Sequence, residues 1–372
     1  MLNEAQVQAL TTQVLWAAFG LSVVFGAIAQ RTHFCTMGAL SDIVTMGDWS
    51  RMRMWALAAG VAVLGFNAMV ALGWVQAADT IYASPRVIVL SNALGGLMFG
   101  CGMVLASGCG SKTLVRVGGG NLKSLVVFVV LGVSAFATLK GLTAVWRVAT
   151  VDRVAATLPV GQDLPSLLAQ GSGVARTTLA VLLGLLVGGG LLGWALAHPE
   201  GRRGEVLLGG VGIGAVVAAV WWVSGRMGHV VEHPLTLQES FLATNSQHME
   251  SLSFVSPFAY TIDWLIFFSD ASKVLTIGIV STVGVVIGSA AVALATRNFH
   301  WEGFRNAEDT ASHLIGAALM GVGGVTALGC TIGQGLSGLS TLSLGSFVAL
   351  AGILGGGVLA LRWQTWRLER ST

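Results

Sequence analysis

The chain has 372 residues, of which 54% are hydrophobic and only 10% are charged. Soluble domains carry about a quarter charged residues, so this composition excludes a protein that faces water all round and predicts an all-α integral membrane protein embedded in the lipid bilayer. The net charge of +3 is too small to indicate a nucleic-acid partner. The 51 glycines suit helices that pack closely in lipid.

In chain order, about nine apolar runs approach the roughly 20 residues that a helix needs to cross a bilayer. The first 13 residues hold no basic residue and no clear cleavage site follows the first run, unlike a signal peptide, so we expect this run to stay as an anchor. The runs cover residues 14–30, 54–76, 86–107, 122–141, 175–197, 205–224, 272–295, 311–328 and 345–361.

Three stretches interrupt this pattern. Residues 33–46 are apolar but too short to cross, which favours a short re-entrant helix. Residues 142–173 carry several charges and two prolines. Residues 225–270 hold histidines and acidic residues without a metal-binding spacing, and we interpret them as a water-exposed loop. Within that loop, Thr236-Leu237-Gln238-Glu239 resembles a capping box and predicts a surface helix.

Most of the 20 lysines and arginines fall in the loops after the first, third, fifth, seventh and ninth runs. Basic loops stay on the cytoplasmic side of a membrane. The sequence therefore predicts a periplasmic N-terminus and a cytoplasmic C-terminus.

Two segments with a central cysteine repeat each other. One reads Gly108-Cys109-Gly110-Ser111-Lys112, and the other reads Gly329-Cys330-Thr331-Ile332-Gly333-Gln334. Aligning the two cysteines also superposes the glycines upstream: Gly95, Gly100, Gly102 and Gly108 fall on Gly316, Gly321, Gly323 and Gly329.

The parity of the repeat predicts its orientation. The first copy occupies the third and fourth runs, and the second copy occupies the eighth and ninth runs. The two copies are therefore offset by five crossings. Because five is odd, one copy lies upside down in the membrane relative to the other. Inverted repeats are common in secondary transporters and place the substrate site between the copies near the midplane. We expect a single transport domain over 1–372, with repeat halves at about 14–141 and 272–361 linked by 142–271.

The segments around the two cysteines carry groups that bind anions. Free N–H groups at a helix start attract anions, and glycines such as Gly108, Gly110, Gly329 and Gly333 let the backbone approach an ion. Side-chain donors stand beside the cysteines: Ser111, Lys112, Thr331 and Gln334. Lys112 either attracts an anion toward the inner mouth or simply faces the cytoplasm.

The thiols admit three chemistries. They could bind a soft metal, exchange disulfides with a partner, or hydrogen-bond a sulfur-bearing anion as weak S–H donors. Cys35, which follows His33 in the short apolar stretch, joins Cys109 and Cys330 as a candidate, whereas Cys101 lies within a span and is interpreted as structural. Anion binding uses every group present. The sequence shows neither a close cysteine pair nor Met or His pairs at ligand spacing beside Cys109 or Cys330, so we expect no metal and no cofactor.

At these residues the chain closely resembles the YeeE/YedE family of bacterial inner-membrane proteins. The resemblance rests on three stretches: His33-Phe34-Cys35-Thr36-Met37-Gly38-Ala39, Ser107-Gly108-Cys109-Gly110 and Ala327-Leu328-Gly329-Cys330-Thr331-Ile332-Gly333-Gln334-Gly335. It implies an hourglass-shaped helical protein with inverted halves and short inward helices. The implied function is non-enzymatic uptake of thiosulfate.

The resemblance also implies roles and partners. By position, Cys35, Cys109 and Cys330 would pass the ion from thiol to thiol by hydrogen bonds, and His33 and Lys112 would add positive charge. A cytoplasmic TusA-like sulfur carrier is the implied partner, and the core is large enough for a monomer. A membrane thiol oxidoreductase, a soft-metal transporter and transport of another sulfur or selenium species stay open as alternatives.

Overall fold

Helices make up most of the chain in the computed structural model, which describes residues 3–371. In that range the α-helices are α1 Glu4–Thr32, α2 Thr36–Met46, α3 Ser50–Ala71, α4 Val89–Leu105, α5 Gly110–Gly118, α6 Leu122–Lys140, α7 Leu142–Ala149, α8 Leu164–Ser172, α9 Arg176–Leu196, α10 Gly204–Trp222, α11 Ser256–Ile266, α12 Ile277–Ala295, α13 Ala307–Thr326 and α14 Leu344–Ser371.

Short turns and strands connect these helices. The 3-10 turns are Ala77–Asp79, Ile81–Ala83, Val151–Arg153 and Pro199–Arg202, and the π-helical turns are Val223–Met227 and Gly333–Gly338. The strands are β1 Arg86–Val87, β2 Ala156–Thr157, β3 His229–Val230 and β4 Ser240–Phe241; β1 pairs antiparallel with β2, and β3 with β4.

Eight helical segments within residues 3–371 are long and apolar enough to cross a membrane, which confirms an all-α integral membrane protein. The run predicted over 311–328 forms as α13 but is not among the eight, because Glu308, Asp309 and His313 lower the hydropathy of its first turns. It nevertheless packs against both α4 and α6. The predicted short helix over 33–46 forms as α2.

The crossing of α4 and α13 is built on facing glycines. A Cβ on Gly95 would lie 2.7 Å from the Gly323 carbonyl oxygen, and a Cβ on Gly102 would lie 2.6 Å from that of Gly316. Ascending positions on α4 therefore meet descending positions on α13, so the two helices run antiparallel, as the parity argument predicts. In the alignment of the cysteine segments, Gly95 is equivalent to Gly316 and Gly102 is equivalent to Gly323. The Gly95–Gly323 contact is therefore equivalent to the Gly102–Gly316 contact, which is the pattern of a two-fold axis.

Other helix pairs exchange in the same way. The α4–α14 packing corresponds to α13–α6, and α1–α12 corresponds to α3–α10.

The interpretation of 225–270 as a water-exposed loop is wrong in two respects. No helix forms over 236–239, where Leu237 has φ 54° and the chain turns between β3 and β4. The chain then runs inward, and Met249, Leu252 and Phe254 are buried in the core. These three residues alternate with polar residues, so the mean hydropathy of the segment is low and does not predict a buried segment. Their burial follows from the packing of α1, α10 and α11 around them.

Candidate functional site

Three helix breaks share one backbone geometry. The residue two positions before each of Cys35, Cys109 and Cys330 adopts a left-handed conformation: His33 has φ 51°, Ser107 φ 55° and Leu328 φ 59°. A left-handed residue commonly ends a helix, and here α1, α4 and α13 end just before it. The sequence alignment predicted two such breaks, and the structure adds an equivalent third one at Cys35.

Each cysteine then starts the next helical segment. The Cys35 Sγ accepts a hydrogen bond from the Gly38 amide at 3.3 Å, and the Cys330 Sγ accepts one from the Gly333 amide at 3.4 Å. The Cys109 Sγ lies 3.3 Å from the Ser111 hydroxyl and beside the Lys112 amide. An oxygen side chain usually fills this N-cap position. Cys35 and Cys109 are the N-cap residues of α2 and α5, where the helix dipole is positive, and Cys330 lies three positions before the π-helical turn Gly333–Gly338.

The three breaks bring their thiols together. The Cys35 and Cys109 thiols lie close enough to influence each other electrostatically, and Cys330 lies within electrostatic range of Cys109. Cys109 and Cys330 are fully buried, Cys35 is 7% exposed, and all four cysteines are free in the described chain. Cys101 is elsewhere: its thiol donates to the Gly356 carbonyl across the α4–α14 contact, at 3.4 Å.

Hydroxyl groups accompany the thiols. Thr331 lies beside the Cys109 thiol. Within residues 3–371, the buried hydroxyls of Thr331 and Thr36 have no partner with hydrogen-bonding geometry. An unpaired buried donor costs free energy, so these two hydroxyls are available to a bound oxyanion.

The glycines of the site keep the chain segments close together. A Cβ on Gly110 would lie 2.7 Å from the Phe254 carbonyl oxygen, and one on Gly333 would lie 2.5 Å from the Ser253 hydroxyl. At the remaining two positions, the Lys112 side chain lies over Gly108, and the side chain and backbone amide of Gln334 lie over Gly329. The Gln334 side-chain amide donates a hydrogen bond back to the Ala327 carbonyl and so bridges the helix break before Cys330.

Positive charge lies on one side of the thiols. Lys112 acts electrostatically on both Cys35 and Cys109, with Arg116 and Arg51 nearby. Arg51 forms a two-pronged ion pair with the buried Asp42. A surface groove of about 620 Å³ on this side is lined in part by His33, Arg51, Arg203 and Glu205. Lys112 is therefore close enough to Cys35 and Cys109 to act on them electrostatically.

A cavity of about 120 Å³ lies on the other side of the thiols. Its wall includes Leu328, Tyr82 and Ser253, and Tyr82 is within electrostatic range of Cys330. A second cavity of about 170 Å³ shares Asn245 and Tyr260 with it and carries Lys140 and Lys273. Leu328 and Tyr82 place the first of these cavities next to the break before Cys330.

Sequence reasoning missed the residues of this cavity. Tyr82 stands on a 3-10 turn, and Ser253 and Glu250 belong to the segment interpreted as a loop. The one available signal was the recurrence of serine at Ser246, Ser251, Ser253 and Ser256 just before an apolar helix.

The donor set within residues 3–371 contains no group of three or more His, Cys, Asp or Glu side chains arranged to hold a metal ion. The two neighbouring thiols, a third thiol further along, unpaired hydroxyls and helix N-termini form a site that suits a small anion with a soft atom.

Comparison with known proteins points the same way. The sulphur transport family (YeeE/YedE) matches residues 31–359. The thiosulfate transporter TsuA of Spirochaeta thermophila is 25% identical over 95% of this chain and 100% of its own length. TsuA of Escherichia coli K12 is 25% identical over 84% of each chain. A probable transporter, YedE of E. coli K12, is 28% identical over 31% of this chain and 27% of its own.

Proposed function

Because the chain belongs to the sulphur transport family, we propose that it is a transporter that carries thiosulfate across the bacterial inner membrane, past Cys330, Cys109 and Cys35. The observation that carries this proposal is the convergence of three helix breaks, each with a thiol at the start of the following helical segment. The names of the two long relatives supply the ion.

The geometry suits a dianion with a terminal sulfur. The thiols are weak S–H donors to the soft sulfur, and the helix N-termini with the Thr331 and Thr36 hydroxyls favour the charged oxygens. Passage needs binding that is weak and distributed over several sites, so that the ion can leave. A row of thiols, each a weak donor, meets that need.

The arrangement also suggests how the path is oriented. Lys112 and its neighbouring arginines mark the cytoplasmic side and the cavity with Tyr82 marks the periplasmic side, which gives a periplasmic N-terminus and a cytoplasmic C-terminus. The antiparallel α4–α13 crossing supports inverted halves that narrow onto the thiols from both faces. We place a TusA-like sulfur carrier at the cytoplasmic side, and a monomer as the working unit.

Uptake by proteoliposomes tests this function. We expect radiolabelled thiosulfate to accumulate inside vesicles that contain the purified protein, and unlabelled thiosulfate to compete better than sulfate, sulfite or selenite. Absence of thiosulfate uptake, or equal competition by sulfate, would contradict the proposed selectivity. Stronger competition by selenite would instead assign the path to a selenium oxyanion.

One observation favours a second function. The proximity of the Cys35 and Cys109 thiols points to a disulfide between them, as in a membrane thiol oxidoreductase. Mass spectrometry after rapid alkylation of actively transporting protein decides between the two: free thiols at both positions support transport, and a trapped Cys35–Cys109 disulfide supports redox exchange.

Removing the charge of Lys112 is expected to slow uptake severalfold without unfolding the protein, because the ammonium attracts the dianion toward the inner thiols. Lys112→Gln should show the loss, and Lys112→Arg should recover most of the rate. Arg362→Gln, at an exposed position on α14, is the control for a general charge effect. Equal uptake by Lys112→Gln and the wild type would show that Lys112 does not attract the ion and only faces the cytoplasm.

A further inference from the structure

An acidic side chain lines the cavity through which we propose that an anion enters. Glu250 stands on the wall of the 120 Å³ cavity together with Tyr82 and Tyr260. Both tyrosines lie within electrostatic range of its carboxylate. A carboxylate is an unexpected neighbour for a doubly charged anion, since like charges repel strongly in a partly buried site.

The structure holds Glu250 firmly in this position. Its Oε1 accepts hydrogen bonds from the amide of Ser246, at 2.9 Å, and from the hydroxyl of the same residue. Its own amide donates to the Ser224 hydroxyl at 2.9 Å. Four chain elements therefore surround the side chain: the loop after β4, the π-helical turn at Ser224, the turn with Tyr82 and helix α11. The carboxylate cannot simply rotate away when an ion arrives.

No salt bridge neutralises Glu250 within residues 3–371. The cations of the outer surface have other positions: the Lys273 Nζ is 2.6 Å from Asp263 Oδ2, and the Lys140 Nζ is 6.0 Å from the Tyr260 ring centroid. His248 forms no ion pair with Glu250 and acts on its carboxylate only through a longer-range electrostatic interaction. The titratable and charged groups on the elements around Glu250 are Asp79, Tyr82, Arg226, His248, Tyr260, Asp263 and Lys273.

We propose that Glu250 is a proton-binding site of the outer cavity, which must be protonated before a thiosulfate dianion can occupy that cavity. This inference rests on the proposed transport of thiosulfate. The proton comes from the outer solution and binds the free carboxylate oxygen, so each dianion that enters is accompanied by one proton. The resulting carboxyl O–H becomes a hydrogen-bond donor to the ion instead of a repelling charge.

The direction of the pH effect follows from linkage. Burial raises the pKa of Glu250 above its ordinary value, which brings protonation closer to neutral pH. A bound dianion raises that pKa further, because it favours the neutral acid. Thiosulfate itself does not titrate in this range. Its affinity should therefore be constant at pH values below the pKa of the free carboxyl and should fall as the pH rises above it.

The test is thiosulfate binding to purified full-length protein, measured by titration calorimetry across a series of pH values. For the wild type we expect the dissociation constant to rise about tenfold for each pH unit above the carboxyl pKa, the slope for one linked proton. Repeating the titration in two buffers of different ionisation heat, at a pH above the carboxyl pKa, should show uptake of about one proton per ion. Glu250→Gln should bind with the same affinity, within about twofold, across the series, and without proton uptake.

Two further variants keep the test decisive. Glu250→Asp retains a carboxyl and should keep the slope, even if Glu250→Gln proves unstable. Glu239→Gln removes an exposed carboxylate that pairs with His229 in the same region and should behave as the wild type. A wild-type affinity without pH dependence, or an unchanged slope in Glu250→Gln, would overturn the proton site while leaving thiosulfate transport standing. A wild type that binds no thiosulfate at any pH would overturn both.

Discussion

Cys330→Ser is expected to reduce thiosulfate uptake at least tenfold, and Cys109→Ser to do the same. Serine keeps a hydroxyl at the start of the helical segment, so the Gly333 amide keeps an acceptor and the break should still form. What serine removes is the soft sulfur that faces the ion. A loss of about 1.4 kcal/mol at the highest barrier of the path already corresponds to a tenfold lower rate.

The matched control is Cys101→Ser. This thiol is only partly buried and contacts the Gly356 carbonyl between α4 and α14, away from the three breaks. A serine hydroxyl can make the same contact, so uptake should stay within about twofold of the wild type. Uptake by vesicles with equal amounts of folded protein is the measurement. Full uptake by both Cys109→Ser and Cys330→Ser would contradict a path lined by essential thiols.

The cysteine positions show why part of this site could be predicted from sequence. Cys109 and Cys330 follow glycine-rich helices of similar length, and a repeated local pattern specifies a repeated local structure. The break before Cys35 has the same backbone geometry, but its preceding helix lacks those aligned glycines. Its equivalence therefore appears only in three dimensions, in the left-handed His33 and the thiol on the Gly38 amide.

The outer cavity could not be predicted for a different reason. Glu250 lies in a polar stretch, and hydropathy assigns such a stretch to water. Its burial arises from distant partners, since Ser224 comes from the end of α10 and Tyr82 from the turn before α4. The apolar run of α13 was predicted at 311–328, but hydropathy does not show that the helix begins at Ala307 with a charged first turn, or that its glycine face packs against α4.

A second large effect is expected at that glycine face. Gly102→Leu should destabilise the protein by at least about 3 kcal/mol, because the new side chain meets the backbone of α13 rather than a movable side chain. A Cβ alone would lie 2.6 Å from the Gly316 carbonyl oxygen and 2.8 Å from the Met320 amide nitrogen. The helices would have to separate, and the breaks at Cys109 and Cys330 would separate with them.

Gly316→Leu should have an effect of similar size, because a Cβ there would lie 2.7 Å from the Gly102 carbonyl oxygen. Gly190→Leu on α9 is the control, since the space around Gly190 is open and leucine favours a helix more than glycine does. Thermal unfolding in detergent should show melting temperatures lowered by about 4 °C or more for the two interface variants and unchanged or raised for Gly190→Leu. If Gly102→Leu had the same melting temperature as the wild type, α4 and α13 would not meet backbone to backbone. The symmetric helix crossing that brings the thiols together would then have to be abandoned.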